Sequence, residues 1–390
     1  MMKQIKLMNK IAKVGTDVFD RAVYAVGDEV ANPDAIMVRS AALHELEFNP
    51  ELLAIARCGA GVNNIPIDRC SDDGIVVFNT PGANANGVKE LTLCALFLAA
   101  RNVVGGIEWE KTLMGTEGVS KAVEKGKGNF AGGEIKGKTL GVIGLGAIGG
   151  MVANAATKLG MKVVGCDPFL SINAAWNLDH HVVKANTYEE IYKVADYIAL
   201  HVPATEQTKK MINAQTIATM KDGVKIINMA RGDLVDSDDM IAALESGKVS
   251  AYVTDFADEK LLGKKGVVAI PHLGASTEEA EDNCAVMAAH QLDEYLKYGI
   301  IKNSVNYPVV DIPYCEDVTR LIIFHKNVPA VLSSISTLFA DRTINIENLI
   351  NKSKGDNAVT VVEVKGGVAE DIVEATKAIS GVVRTRAIKL

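Results

Sequence analysis

The 390-residue chain contains no Cys-x-x-Cys pair, and none of its six cysteines (Cys58, Cys70, Cys94, Cys166, Cys284, Cys315) shares a metal-site spacing with a histidine. That absence argues against a zinc module, and cysteines set inside apolar segments read as buried, reduced thiols. Excess charge of either sign is also missing. With 41 Lys and Arg against 48 Asp and Glu, the net charge is −7, which argues against a nucleic-acid surface. No apolar run is long. The longest predominantly apolar stretch, Leu91–Ala100, lies between Glu90 and Arg101 and is far too short to span a bilayer. The N-terminus carries lysines, but its apolar positions alternate with polar ones and it lacks a signal-peptide core, so the expected location is the cytosol. A chain this long exceeds what one core usually organises, so two or three domains are expected.

What is present is concentrated between Gly141 and Asp167, where GVIGLGAIGG is followed by a helix-like run and then KVVGCD. The order strand, glycine turn, helix, strand, acid is what a dinucleotide site requires. Gly144 allows the tight turn, Gly146 lets the backbone approach a pyrophosphate, and Gly149 lets the helix pack closely on the sheet. The helix N-terminus offers unpaired N–H groups and a partial positive charge to the phosphates. Asp167 can accept hydrogen bonds from both adenine-ribose hydroxyls and would repel a 2′-phosphate, which favours NAD over NADP.

From Ile36 to Val77 short β-rich runs (AIMV, LLAIA, IVVF) alternate with helix-like stretches, a first α/β unit. From Lys138 to Pro271 the alternation resumes, and KTLGVIG, MKVVGCD, YIALHV, VKIINMA, AYVTDF and VVAIP read as buried parallel strands. Helices are expected at about Gly87–Val104 and Thr277–Tyr298, flanking this block. The Gly- and Lys-rich segment from Glu108 to Gly137 shows little periodicity and reads as a solvated loop, with a subunit contact as the alternative. Pro308 and Pro313 mark a linker. Beyond it, strands at 320–325, 344–352, 359–365 and 382–390 and helices at 329–339 and 369–379 give a βαββαβ order, the ferredoxin-like plan.

Three segments place ionisable groups at the C-terminal ends of expected strands, the edge where open α/β sheets bind ligands. NMARG puts Arg231 there, VTDFADE puts Asp255, Asp258 and Glu259 there, and AIPHLGAST puts His272 there. A hydroxy-acid dehydrogenase needs this set: a cation for the substrate carboxylate, an imidazole to move the hydroxyl proton, and a carboxylate to orient the imidazole. His44, His180, His181 and His290 have no such context and read as structural or exposed.

Taken together, ARG at Ala230–Gly232, PHLGAST at Pro271–Thr277, the GLGAIG turn, NTP at Asn79–Pro81 and RSA at Arg39–Ala41 resemble the D-isomer-specific 2-hydroxyacid dehydrogenases. The resemblance implies a Rossmann-type NAD domain (99–281) inserted in a flavodoxin-like substrate domain (1–98 and 282–312). It implies that Arg231 binds the substrate carboxylate and C2 oxygen, that Glu259 pairs with the imidazole, and that His272 carries the proton. The family pattern Asp-Val-Phe-x-x-Glu-Pro is altered here, so Asp258 and Asp255 remain alternatives to Glu259. By the same resemblance Thr80, Ala147, Ile148, Val202, Met229, Ala230, His272 and Ala275 join Asp167 around the dinucleotide, and the acid facing the nicotinamide amide is shared between Thr254 and Asp255.

Arg39 and Ser40 of RSA suit a phosphate, with Arg57 of RCGAGVNN and Asn63 as further substrate candidates. Where relatives often carry Gln after the HLGAST motif, this chain has Glu281, a carboxylate unfavourable beside a phosphate. The terminal module, 318–390, resembles an ACT domain, which implies an amino-acid effector such as L-serine at His325, Asn327 and Asn345, and a homo-oligomer, dimer or tetramer. Ala330 stands where the family has glycine. The activity implied is NAD-dependent oxidation of D-3-phosphoglycerate to 3-phosphohydroxypyruvate. The alternatives are reduction of hydroxypyruvate, glyoxylate or 2-oxoglutarate, and an NAD(H)-sensing binding protein without useful turnover.

Overall fold

The computed structural model describes residues 2–367 and 370–390, so Ala369, where the last helix is expected to start, lies outside the described residues. The chain divides into two compact units, Met1–Ala83 with Glu281–Leu390, and Asn84–Ala280.

In the first unit, β1 (Lys3–Met8), β2 (Tyr24–Gly27), β3 (Ala35–Val38), β4 (Ala54–Arg57) and β5 (Val76–Phe78) form a parallel sheet of order β2-β1-β3-β4-β5. This is the flavodoxin-like order. Strands β3 and β5 are wholly buried runs of Ala, Ile, Met, Val and Phe, as a two-sided parallel sheet demands. The sequence reading begins this unit at Ile36, and the structure adds β1 and β2 ahead of it. Only Ile5 of β1 is fully buried. Its lysines lay their stems along the sheet and deliver their ammonium groups to backbone carbonyls, Lys3 to Leu296 (2.5 Å) and Lys6 to Val30 (3.0 Å).

The second unit holds β6 (Thr139–Ile143), β7 (Lys162–Cys166), β8 (Val182–Lys184), β9 (Tyr197–Leu200), β10 (Val224–Asn228), β11 (Val249–Thr254) and β12 (Val267–Ala269). All pair in parallel, in the order β12-β11-β10-β9-β6-β7-β8. That is the doubly wound dinucleotide-binding order with one extra strand. Six of the seven strands were legible as apolar runs. The exception, β8, is a three-residue edge strand with two exposed positions. The segment read as a solvated loop is instead helical at Val103–Lys111 and Val119–Gly126, tied by Trp109 stacking against Phe130 at 5.2 Å.

Back in the first unit, helix Glu278–Tyr298 runs 21 residues. Its apolar side (Ala285, Ala288, Ala289, Leu292, Tyr295, Leu296) lies in the same core as the five-stranded sheet. The chain then returns to β5, where the buried amide of Asn306 accepts from the Val77 N–H (2.9 Å) and donates to the Ile75 carbonyl (2.9 Å).

The terminal module is an antiparallel sheet, β14-β15-β13-β16, of β13 (Val318–Lys326), β14 (Asn348–Lys354), β15 (Asn357–Lys365) and β16 (Val382–Lys389). It is the expected ferredoxin-like module. Strand β13 is buried on both faces. Leu321 and Ile323 pack with the module's own helices Val331–Asp341 and Glu370–Lys377, whereas Ile322 and Phe324 join the core of the five-stranded sheet. Buried Arg320 fixes this junction. Its guanidinium bonds Glu363 at 2.6 and 2.9 Å and donates to the carbonyls of Tyr298 (2.5 Å) and Pro313 (2.9 Å). Ala330 holds φ +71, the left-handed conformation that glycine adopts without cost.

Candidate active site

In the second unit the glycine turn has the geometry its sequence requires. Gly144 has φ +89 and its N–H donates to Cys166 O (2.9 Å); a Cβ there would sit 2.6 Å from the His201 carbonyl oxygen. A Cβ on Gly149 would lie 1.9 Å from Gly144 O, so any side chain would push helix Ala147–Lys158 off the strand. A Cβ on Gly146 meets nothing within 4 Å: the backbone at the helix N-terminus, followed by Ala147 and Ile148, borders open space. Asp167 follows β7, and its carboxylate accepts from the N–H groups of Leu145 and Phe169, both at 2.9 Å. The acid is thereby locked to the glycine turn. An open backbone face, a helix N-terminus and an anchored acid after the second strand form the arrangement a dinucleotide site calls for. Val202, after β9, packs into the apolar cluster beneath the same sheet edge.

The carboxyl ends of β10, β11 and β12 bring the expected reactive groups together. Strand β10 ends on Asn228, which is completely buried. Its amide oxygen accepts from the N–H groups of Ala230 (3.1 Å) and Arg231 (3.3 Å), while its amide nitrogen donates to Arg231 O (2.8 Å) and Tyr252 Oη (3.2 Å). The turn carrying Met229, Ala230 and Arg231 is therefore moulded by one neutral side chain. The Arg231 guanidinium is exposed, donates to the Ala230 carbonyl (2.7 Å) and lies 5.6 Å from the centre of the Phe256 ring. His272 packs on the same ring, centroid to centroid 4.4 Å. Phe256 thus spaces cation and imidazole, and neither is in an ion pair among the described residues.

Three carboxylates were candidates for the imidazole's partner, and their surroundings differ. Asp255 is buried, and its Oδ1 is shielded without a hydrogen-bond partner. Burial pushes its carboxyl above the ordinary value, opposed by the charges of His272 and Arg231. Asp258 is engaged locally, accepting from Ser237 Oγ (2.6 Å) and from the N–H groups of Lys260 and Leu261 (3.1 Å each). Glu259 is exposed and makes no hydrogen bond or ion pair among the described residues. Of the two residues sharing the nicotinamide role, Thr254 is fully buried with its hydroxyl accepting from Phe256 N–H (3.1 Å). Ala275 sits in the loop before helix Glu278–Tyr298, next to buried Gly274.

The first unit carries the substrate candidates at the carboxyl ends of β3 and β4. Arg39 is already paired: its guanidinium meets Glu281 at 2.5 Å. Arg57 donates from Nε to the Arg39 carbonyl (3.1 Å), and its guanidinium folds over Gly59, where a Cβ would fall 1.5 Å from Nη1. Burial pulls the Arg57 pKa down. The Ser40 and Ala41 N–H groups donate to Asn9 Oδ1 at 3.0 and 2.7 Å. Asn63 is exposed, and its carbonyl meets His44 Nε2 (3.1 Å), giving His44 a structural contact. Thr80 is wholly buried after β5, its N–H on the Gly59 carbonyl (3.0 Å).

In the terminal module the three effector candidates are separately engaged. His325 is buried between the Lys326 carbonyl and Thr360 Oγ1 (both 2.8 Å), and Thr360 in turn donates to Asn351 Oδ1 (2.8 Å). Asn327 donates to the Gly355 carbonyl (3.2 Å) and Asn345 to Glu347 (3.0 Å).

Two residues escaped the sequence reading. Asn228 was detectable as the one amide closing the apolar run VKIIN. His201, after β9, has both ring nitrogens shielded and unpartnered, and desolvation lowers its pKa to about 4. A lone histidine following an apolar strand gives no such signal in sequence.

Comparison with known proteins agrees with this geometry. Residues 106–274 match the model of the D-isomer specific 2-hydroxyacid dehydrogenase NAD binding domain, and residues 321–384 match the AHAS small subunit-like ACT domain. A D-3-phosphoglycerate dehydrogenase of Haemophilus influenzae is 30% identical over 358 residues, 87% of this chain and 82% of that protein. A hydroxypyruvate reductase of Thermotoga maritima is 38% identical over 266 residues, 64% of this chain and 80% of that protein. Other curated relatives are longer, and the chain spans about half their length, 55% and 53% in two cases. The crystal structure of an NAD+-bound 3-phosphoglycerate dehydrogenase from Entamoeba histolytica superposes with a TM-score of 0.61 at 27% identity, covering 78% of this chain and 99% of that one. No single helix is long and apolar enough to cross a membrane among the described residues. With its NAD-binding core and its overlap with full-length relatives, the chain belongs to the D-isomer-specific 2-hydroxyacid dehydrogenase family.

Proposed function

We propose that the protein oxidises D-3-phosphoglycerate to 3-phosphohydroxypyruvate with NAD. The observation that carries this is the placing of Arg231 and His272 on one aromatic ring, neither in an ion pair among the described residues and both within the field of buried Asp255, in a unit whose glycine turn suits a dinucleotide. NAD, when bound, accepts the hydride leaving C2. His272 takes the proton of the C2 hydroxyl, and Arg231 holds the carboxylate and balances the charge developing on the oxygen. Asp255 or Glu259 supplies the negative charge that favours the imidazolium once formed; the burial of Asp255 beside His272 supports the former. Arg39, Ser40, Arg57 and Asn63 take the phosphate. Thr80, Ala147, Ile148, Asp167, Val202, Met229, Ala230, Thr254 and Ala275 border the cofactor. The terminal module takes an amino-acid effector, L-serine being the natural feedback signal for this product, within a homo-oligomer. For His325 to contact such an effector, its bond to Thr360 has to open.

A second reading, reduction of hydroxypyruvate, draws support from the identity to a hydroxypyruvate reductase and from the carboxylate already resting on Arg39. NADH oxidation separates the two. Preference for 3-phosphohydroxypyruvate over hydroxypyruvate, lost in Arg39→Ala, supports the first; equal turnover of both that is indifferent to Arg39→Ala supports the second. In either case His272→Ala is expected to lose about 10²- to 10⁴-fold in kcat, the usual contribution of a general acid–base group.

A further inference from the structure

We infer that Glu281 is a built-in competitor for the anion site at Arg39, and so determines which substrates gain from that site. The proposal rests on the reading that Arg39 receives the distal anion of the substrate. The Glu281 carboxylate meets the Arg39 guanidinium at 2.5 Å, and both side chains are about two-fifths exposed, 41% and 43%. Arg57 stands beside them, tied through Nε to the Arg39 carbonyl, and none of its hydrogen bonds among the described residues goes to an acid. Two neighbouring guanidinium groups are thus served by one carboxylate. Glu281 also sits near the N-terminus of helix Glu278–Tyr298, where the helix dipole favours a negative charge, so it needs no new partner after release.

The consequence follows from exchange. A ligand anion does not meet a free Arg39; it must displace a carboxylate and inherits only the difference between the two interactions. A second carboxylate offers the same charge in the same planar fork, so the swap brings almost no affinity. A phosphate carries close to two charges and three acceptor oxygens, enough to engage Arg39 and Arg57 together and to release Glu281 to solvent. A small 2-oxo acid with no second anion leaves the pair untouched. Glu281 therefore sets a threshold that a phosphate passes and a carboxylate does not.

The test reads phosphate binding directly as well as turnover. Inorganic phosphate is titrated calorimetrically into the full-length wild type, Glu281→Gln, Arg39→Gln and Glu279→Gln. Glu279 is exposed on the same helix, and its variant reports the general field of the helix without touching the pair. Phosphate is expected to bind about two- to fivefold more tightly to Glu281→Gln, the range set by a half-exposed ion pair, with wild-type affinity in Glu279→Gln and weaker affinity in Arg39→Gln. In turnover, Glu281→Gln is expected to lower KM for 3-phosphohydroxypyruvate and for 2-oxoglutarate by a similar factor, with kcat retained. Unchanged phosphate affinity in Glu281→Gln, or an equal gain in Glu279→Gln, overturns the proposal. If the wild type shows no preference for the phosphorylated acid while the calorimetric pattern holds, the assignment of substrate fails and the competition at Arg39 stands.

Discussion

Both units end their parallel sheets in an arginine poised for an anion, yet they hold it by opposite means. Arg231 sits on a turn shaped by Asn228, a neutral amide satisfied on both sides, and its guanidinium makes no ion pair among the described residues. Arg39 is held by Glu281, and the terminal module is fastened to the same unit by charge as well. Arg320, held within the module by Glu363, donates to the Tyr298 and Pro313 carbonyls, Lys326 pairs with Asp72 at 2.7 Å, and the Arg386 Nη1 donates to the Tyr295 carbonyl at 3.0 Å. A neutral frame leaves the cation unpaired, with no carboxylate to displace. A charged frame gives strength where it is buried and exchangeability where it is exposed.

The sharpest test of that contrast is the buried pair. Removing the cation in Arg320→Met strands the Glu363 carboxylate in the core and leaves the Tyr298 and Pro313 carbonyls without their donor, an expected loss of about 3–5 kcal/mol. The double variant Arg320→Met/Glu363→Met removes the stranded charge and is expected to regain much of it. Denaturant unfolding at neutral pH measures both. A single-variant cost below about 1 kcal/mol, the level of a surface pair, would show that charge does not hold this module in place.

The unit that holds Asn228 buries a second neutral group, and this one has a signature in pH. Burial holds His201 near pKa 4 against an ordinary 6.5, so the folded state keeps the ring neutral while the unfolded chain takes up a proton as pH falls. The stability His201 confers is complete above about pH 6.5 and is lost as pH drops toward 4, at most about 3 kcal/mol over that window. His201→Leu is expected to flatten the stability profile between those values. A profile as steep as that of the wild type would assign the acid sensitivity to other groups.

The same contrast explains what the sequence could and could not disclose. The second unit is written in continuous apolar strands broken by glycine, and the turn at Gly144–Gly149 reads directly because sterics admit almost no other residue at Gly144 and Gly149. Strand β1 carries its signal in the alternation of apolar and polar residues at the N-terminus, but its lysines, which serve the sheet by their stems and the backbone by their tips, make that alternation read as solvated chain. The helices between Val103 and Gly126 were hidden for a different reason: they leave no residue fully buried. At the site, Arg231 and His272 were legible from motif and strand position, but the choice among Asp255, Asp258 and Glu259 was not. Burial and pairing separate these acids, and both are tertiary properties. Glu281 was visible as an oddity in sequence, while its grip on Arg39 depends on the meeting of β3 with a helix some 240 positions downstream.

Asn228 provides the smallest of these tests and the most selective. In Asn228→Ala the N–H groups of Ala230 and Arg231 lose their acceptor and the Arg231 carbonyl and Tyr252 hydroxyl lose a partner, a cost of about 1–3 kcal/mol for buried groups left unpaired. Stability alone would not distinguish a framing residue from any other core amide, so the informative readout is kinetic. If the amide aims Arg231, the variant raises KM for every 2-oxo acid, since all share the carboxylate that Arg231 is proposed to hold. It raises KM for NADH by a smaller factor, because of the cofactor candidates only Met229 and Ala230 share this turn, while Gly144, Gly146 and Asp167 follow β6 and β7. A parallel rise in both constants would mean that Asn228 supports the whole sheet edge, and the neutral frame would then be a property of the strand ends together and not of this one side chain.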